Sequence, residues 1–213
     1  MDRQPRPVAA TTVFPALRGR AWPLPTGIVA AYSWRAAVQA ALLDLCRRLT
    51  IAELPAATTP FPRLDPHRHL PDGPGRRFLS ILAAIGGVTV AYDVTGTLGV
   101  PTVLCHHDCA PAGCASGRTV AEALEAALLQ TVLGYQAARD GWPADAGAPP
   151  PTLPARLRGD PVRSGVDDAP HDLTTIGAAL AGLGHHPVVV PLDHDPEVAA
   201  VMPYIATVVL ADG

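Results

Sequence analysis

The sequence predicts an α+β fold in which helices cover a sheet. Apolar residues recur at helical spacing in three stretches, 34–49, 119–138 and 173–183. Short runs rich in β-branched residues, at 88–94, 100–105, 187–192 and 204–210, alternate with them. The 213 residues are 48% hydrophobic and 16% charged, with 24 prolines and 19 glycines, which describes an apolar core joined by proline-rich loops.

Residues 1–20 mix Pro, Arg and Ala without a period and are expected on the surface. Ser33 then precedes a run whose apolar positions 34, 38, 41, 42, 45 and 49 share one helical face, so Ser33 is the expected N-cap, with Arg47 and Arg48 near the negative helix end. Residues 54–77, dense in proline, read as a loop. Phe78 to Ile85 reads as a short helix stopped by Gly86 and Gly87. Strands follow at 88–94 and 100–105, where Pro101 favours a strand start or an edge.

A loop is expected from His106 to Arg118, followed by a helix capped by Thr119 with Glu122 completing a capping box. Leu124, Leu128, Val132 and Tyr135 give that helix its buried stripe. Residues 140–171, rich in Pro, Gly and Asp, read as a linker or a surface excursion. Beyond them come a helix with Leu173, Ile176, Leu180 and Leu183 on one face, a stop at Gly184, and two strands.

The formal charge of −3 argues against a broadly basic nucleic-acid-binding surface. No apolar run is long enough to span a bilayer and no signal-peptide core follows Met1, so a cytoplasmic location is expected. In a reducing compartment Cys46, Cys105, Cys109 and Cys114 are expected as thiols or ligands rather than disulfides.

Chemistry concentrates at Cys105-His106-His107-Asp108-Cys109 and Cys114. Thiolate and imidazole suit zinc, and Cys105, His107, Cys109 and Cys114 form a candidate metal set, although the spacing is not that of a zinc finger. A cysteine nucleophile beside His106 or His107 is a second candidate. Gly113, Gly117, Arg118 and the helix start at Thr119 are a candidate anion loop without a Walker or dinucleotide pattern. Asp93, Thr95 and Thr97 suit either substrate contacts or a hydrogen-bonded turn.

The order of segments resembles a known family. Residues 79–139, with Gly-Val-Thr-Val-Ala-Tyr-Asp-Val-Thr, Leu-Gly-Val-Pro-Thr-Val and the helix Thr-Val-Ala-Glu-Ala-Leu-Glu-Ala-Ala-Leu, resemble the core of the YcaO domain. Residues 172–210, with Val-Val-Val-Pro-Leu-Asp, are similar to the family's next unit, and 33–48 to an earlier helix. The resemblance implies a helix-covered sheet and one truncated YcaO-like domain over 1–213. It also implies kinship with enzymes that use ATP to activate a peptide-backbone amide, forming azolines, thioamides or amidines in ribosomally made peptides.

It further implies an ATP-magnesium pocket lined by acidic helix positions. Asp44 and Arg48 match the pattern of the first helix, whereas Arg47 stands where the family has a glutamate. In the second helix Gln130 replaces a glutamate and Gln136 remains as a polar position. A neutral amide does not supply the charge that offsets magnesium. The expectation is therefore an ATP-degenerate accessory subunit that binds no cofactor of its own and assists an ATP-competent YcaO-like enzyme or holds a precursor peptide. The alternatives are a compact ATP- and magnesium-dependent cyclodehydratase completed as a homodimer, using Asp44, Arg48 and Gln136, and a zinc-binding structural or interaction protein.

Overall fold

The computed structural model describes residues 27–141, 158–161, 169–192 and 196–210. Contacts divide the chain into two units, one of Met1–Leu45 and Asp172–Gly213, the other Cys46–His171.

The first unit carries a three-stranded antiparallel sheet in the order β1 (Val29–Ala31), β8 (Tyr204–Leu210), β7 (Pro187–Pro191). Helix α1 (Trp34–Glu53) starts in this unit, and the Oγ of Ser33 accepts from the Ala36 amide at 3.2 Å, the expected cap. Its Trp34 ring lies 6.4 Å from that of Tyr204 on β8. Helix α5 (Leu173–Gly182) is capped by Asp172, whose side chain accepts from both the Thr175 amide and its hydroxyl. Those donors hold the carboxyl below the usual carboxylate range, the amide contributing most. Ile176 and Leu180 are fully buried, and Gly184 leaves the helix at φ +75°. The helix α6 (Pro196–Val201) is an element the periodicity does not reveal.

The second unit is built on a five-stranded sheet in the order β5 (Ala110–Ser116), β4 (Thr102–His107), β3 (Thr89–Asp93), β2 (Phe61–Leu64), β6 (Arg158–Pro161). Its pairings are antiparallel except β2 with β6. Residues 54–77 are therefore not a plain loop. They hold a 3-10 turn (Leu54–Ala56), strand β2, the short helix α2 (Pro66–His69) and the first turn of α3 (Pro74–Ile85), which starts at a proline whose missing N–H would be unsatisfied there anyway. Most of 140–171 lies outside the described residues, but β6 within it joins the sheet edge.

The loop expected over 106–118 is a hairpin. His107 pairs with Ala110 across Asp108 and Cys109, and β5 runs back along β4. Helix α4 (Val120–Arg139) then crosses the same sheet, capped by Thr119, whose Oγ1 accepts from the Glu122 amide at 3.2 Å. Glu122 reaches one residue further back than a capping box requires, accepting from the Arg118 amide at 3.1 Å and pairing with the Arg118 guanidinium.

Strand alternation separates the two faces of this sheet. Leu64, Ala91, Val103, Cys105 and Ala115 face Leu82 of α3 and Leu124, Ala127 and Leu128 of α4. Tyr92, Leu104 and Cys114 face the other way, toward Leu54 and Ile51. Burial of each large aliphatic side chain in the first cluster contributes about 1.5–3 kcal/mol. No helix of the described residues is long and apolar enough to cross a membrane.

Candidate functional site

The β4–β5 hairpin gathers most of the chemically capable residues, but register decides which of them can meet. Cys105 stands opposite Gly113, and Leu104 opposite Cys114, so the two thiols lie on opposite faces of the sheet. They pack into different apolar clusters. A tetrahedral ion cannot be shared across a sheet, and among the described residues no group of three or more His, Cys, Asp or Glu side chains is placed to hold a metal. The set Cys105, His107, Cys109 and Cys114 is thus not brought together.

His107 is almost fully buried, and both ring nitrogens are engaged by backbone. Nε2 lies 3.2 Å from the Leu82 carbonyl, and Nδ1 accepts from the Cys109 amide at 3.1 Å. The partners fix the tautomer: Nε2 carries the proton and Nδ1 the lone pair. Leu82 lies in the last turn of α3, where carbonyls lack intrahelical partners, so the imidazole caps that helix from the sheet. Asp108 completes the junction, its Oδ2 accepting from the Val88 amide at 2.9 Å. Gly86 and Gly87, at φ +90° and +92°, turn the chain between α3 and β3 in a conformation side chains avoid.

Cys105 is sealed. Burial raises its thiol from 9.0 to about 11, offset only in part by a hydrogen bond with Thr131. Neither Cys105 nor the engaged His107 suits a nucleophile and base pair. Cys109, on the hairpin turn, is the exposed thiol, whereas Cys46 and Cys114 are buried. Iodoacetamide at pH 8 is expected to label the native protein at Cys109 and to leave Cys46, Cys105 and Cys114 unmodified by mass spectrometry. Because the raised thiol belongs to the folded state, the stability it contributes is whole below pH 9 and lost as pH climbs toward 11. Urea melts of the Cys109→Ser protein should show a decline on the order of 3 kcal/mol across that interval, smaller in Cys105→Ala.

Of the candidate anion loop, Gly117, Arg118 and the cap Thr119 form a short connection between β5 and α4. Gly113 lies in β5 against α4, Gly117 packs on the first turn of α4, and Arg118 is paired with Glu122. Asp93, Thr95 and Thr97 form the hydrogen-bonded turn instead. Asp93, 5% exposed, accepts from the Thr95 amide at 3.0 Å and its hydroxyl at 2.6 Å, and Thr95 Oγ1 accepts from the Thr102 amide. The Thr102 and Ser116 hydroxyls lie 2.7 Å apart and carry this network across to β5. Glu53, at the end of α1, accepts from the Thr97 amide at 3.0 Å and its hydroxyl at 2.5 Å.

The positions that the YcaO resemblance assigns to ATP-magnesium divide as follows. Asp44 and Arg48 lie half-buried on consecutive turns of α1. On α4, Gln136 is exposed, and Gln130 is committed: its Oε1 accepts from the Cys114 amide at 3.1 Å, covering a donor of β5, the edge of the sheet. The two carboxylates of α4 are engaged elsewhere, Glu122 at the helix start and Glu125 Oε2 accepting from the Gly75 amide at 3.0 Å. A hard dication held between phosphates and protein favours ionised oxygen donors; of these four positions Asp44 carries one, and the two on α4 are neutral amides.

No protein-family model matches the sequence, and no curated protein matches it. Solved structures do. The chain superposes on YcaO from Methanopyrus kandleri bound with AMPPCP and Mg2+ with a TM-score of 0.63 at 19% identity, covering 91% of this chain and 56% of that one. A heterocyclase in complex with substrate and cofactor gives a TM-score of 0.62 at 15% identity, covering 89% of this chain and 29% of that one. The microcin synthetase McbBCD complex from E. coli gives 0.55 at 12% identity, covering 87% and 54%. At these identities the likeness is one of fold, and the α+β core with its helix-covered sheet is that of the YcaO structures. The chain spans between 29% and 56% of the length of these proteins.

Proposed function

We propose, from the shared fold and the fate of the acidic helix positions, that this chain is an ATP-degenerate YcaO-like accessory subunit. It assists an ATP-competent YcaO-like enzyme in modifying backbone amides of a ribosomally made peptide. The observation that carries the reading is Gln130. At a place where the resemblance implies a magnesium-binding glutamate, the chain has an amide whose oxygen holds the edge strand of its own sheet. The framework is kept while the position serves packing rather than phosphate chemistry. Glu122 and Glu125, fixed at the start of α4 and against α3, support the same reading.

The test is reconstitution with an ATP-competent cyclodehydratase and its precursor peptide. This chain is expected to copurify with the enzyme and to raise product formation, read by the mass loss of each ring closed. Calorimetric titration of this chain alone with AMPPCP and magnesium should give no heat of binding. Full activity of the enzyme without this chain would overturn the reading, as would magnesium-dependent ATP turnover by this chain alone.

A further inference from the structure

On its second face the five-stranded sheet keeps a cavity of about 100 Å³ near the β4–β5 turn. Cross-strand register sets Val90 opposite His106 and Tyr92 opposite Leu104, and residues two apart on a strand point the same way, so the four side chains share this face. Val90 and Leu104 give the cavity an apolar floor, while Tyr92, His106, Asp108 and Arg158 supply its polar groups. The space is smaller than the roughly 150 Å³ that admits a benzene ring, so it takes a group of a few heavy atoms.

Tyr92 is 7% exposed, and its ring is held among Leu54, Val94, Leu104 and Cys114. Among the described residues nothing bonds its hydroxyl, although buried phenols ordinarily find a partner. Unlike the orphaned Thr50 hydroxyl it is not sealed in by packing, so its free side opens on the cavity that Tyr92 lines. Asp108 adds a second unspent group: Oδ2 accepts from the Val88 amide at 2.9 Å, and Oδ1 has no partner among the described residues. Arg158 has a partner already and brings the cavity only its charge. These charges choose the occupant. Asp108 and Arg158 line the same small space, so a full charge of either sign meets a like charge there. A neutral group avoids both, and to satisfy an acceptor at Asp108 and a donor at Tyr92 it must carry an N–H and a carbonyl oxygen. A primary carboxamide holds the two on one carbon.

We propose that this cavity binds a small primary carboxamide, its N–H donating to Asp108, its oxygen accepting from the Tyr92 hydroxyl, and its alkyl part lying on Val90 and Leu104. His106, lining the same cavity, serves either end, since a neutral imidazole both donates and accepts. The chemistry is shared by a free amide and by a Gln or Asn side chain of a peptide. It goes beyond the accessory reading and does not depend on it.

The experiment follows the backbone amide resonances of the full chain as propionamide, propionate, propylammonium and isobutanol are titrated in. Propionamide is expected to shift the amides of Val90, Leu104 and Asp108 and to bind about tenfold tighter than either ion, as a like charge in a confined site requires. Isobutanol, whose single oxygen meets only one of the two protein groups, should also bind about tenfold more weakly. Tyr92→Phe keeps the ring and should weaken propionamide about tenfold without lowering the melting temperature, because the hydroxyl has no partner to lose within the described chain. Asp108→Asn keeps an acceptor for the Val88 amide and removes the charge, so it should narrow the gap between propionamide and propionate. The pentapeptides Gly-Gly-Gln-Gly-Gly and Gly-Gly-Glu-Gly-Gly separate the sources: shifts with the Gln peptide alone assign a side chain, and shifts with propionamide but neither peptide assign a free amide. No shift with any probe, meaning a cavity that holds solvent water only, equal binding of the amide and the ions, or unchanged binding in Tyr92→Phe would overturn the proposal. The titration needs no partner enzyme and no ATP, so its failure leaves the accessory reading standing, and failure of the reconstitution leaves the cavity to be judged by its own binding data.

Discussion

Gly113→Ala is expected to lower the unfolding free energy by about 3 kcal/mol, at the upper end of what overpacking costs. A Cβ at this position would run into the Ala127 carbonyl oxygen and stand 2.7 Å from Thr131 Oγ1 and 2.9 Å from the Thr131 amide nitrogen. Two of those three atoms are helix backbone, so no change of rotamer relieves the clash and α4 must move off β5. That movement would also loosen Gln130 from the Cys114 amide. Gly177→Ala, in the middle of α5 with open space around it, is the contrast: there the same substitution should gain about 1 kcal/mol from helix propensity. Urea denaturation of both variants reads the difference. A loss under about 1 kcal/mol at Gly113 would mean that α4 does not sit on β5 as described.

Leu82→Ala is expected to cost about 3–5 kcal/mol, whereas Ile81→Ala, next to it on α3, should cost about 0.5 kcal/mol. Leu82 is fully buried between the sheet and α4, while Ile81 is 45% exposed. The truncation at Leu82 leaves a cavity walled by two helices and a sheet that cannot all close on it. It also lies where the His107 ring reaches the Leu82 carbonyl, so some of the loss should appear as fraying at the end of α3. Equilibrium melts of the pair, with amide exchange at Gly86 as the local readout, check both parts. Equal losses at the two sites would contradict the orientation of α3.

Three helices, α1, α4 and α5, were legible by their period, and α1 and α4 also by their caps. Ser33, Thr119 and Asp172 all accept from amides of the first turn that follows them. Strand β2 is not legible, since Phe61-Pro62-Arg63-Leu64 carries a proline and owes its conformation to partners distant in sequence. Strand β5 is hidden for a different reason. Its Ala-Pro-Ala-Gly-Cys-Ala-Ser is poor in β-formers because α4 lies so close that only small residues fit. The Asp108-Cys109 turn gives no signal either, as no non-glycine residue of the described chain takes positive φ and the register is irregular between Cys105 and His107.

For the site, residue types were readable and directions were not. Cys105 and Cys114 look like neighbours in a string of ligands until the hairpin register turns them to opposite faces. His107 looks like a ligand until its two nitrogens are traced to the end of α3 and to the turn. The neutrality of Gln130 and Gln136 was legible from sequence, but the bond from Gln130 to the sheet edge is a tertiary fact.

The hairpin seated under α4 also sets an order of assembly. Strands β4 and β5 and helix α4 follow one another without interruption from Thr102 to Arg139, so their mutual contacts close short loops and can form early. The pairing of Phe61 with Arg158 joins the two strands of that sheet farthest apart in sequence and must wait for the rest. Pulsed hydrogen exchange during refolding should protect the amides of Leu104 and Cys114 before those of β6, and simultaneous protection would argue for a single concerted step. The edge that Gln130 covers is thus occupied soonest, during the interval when an unpaired strand would otherwise recruit a second chain.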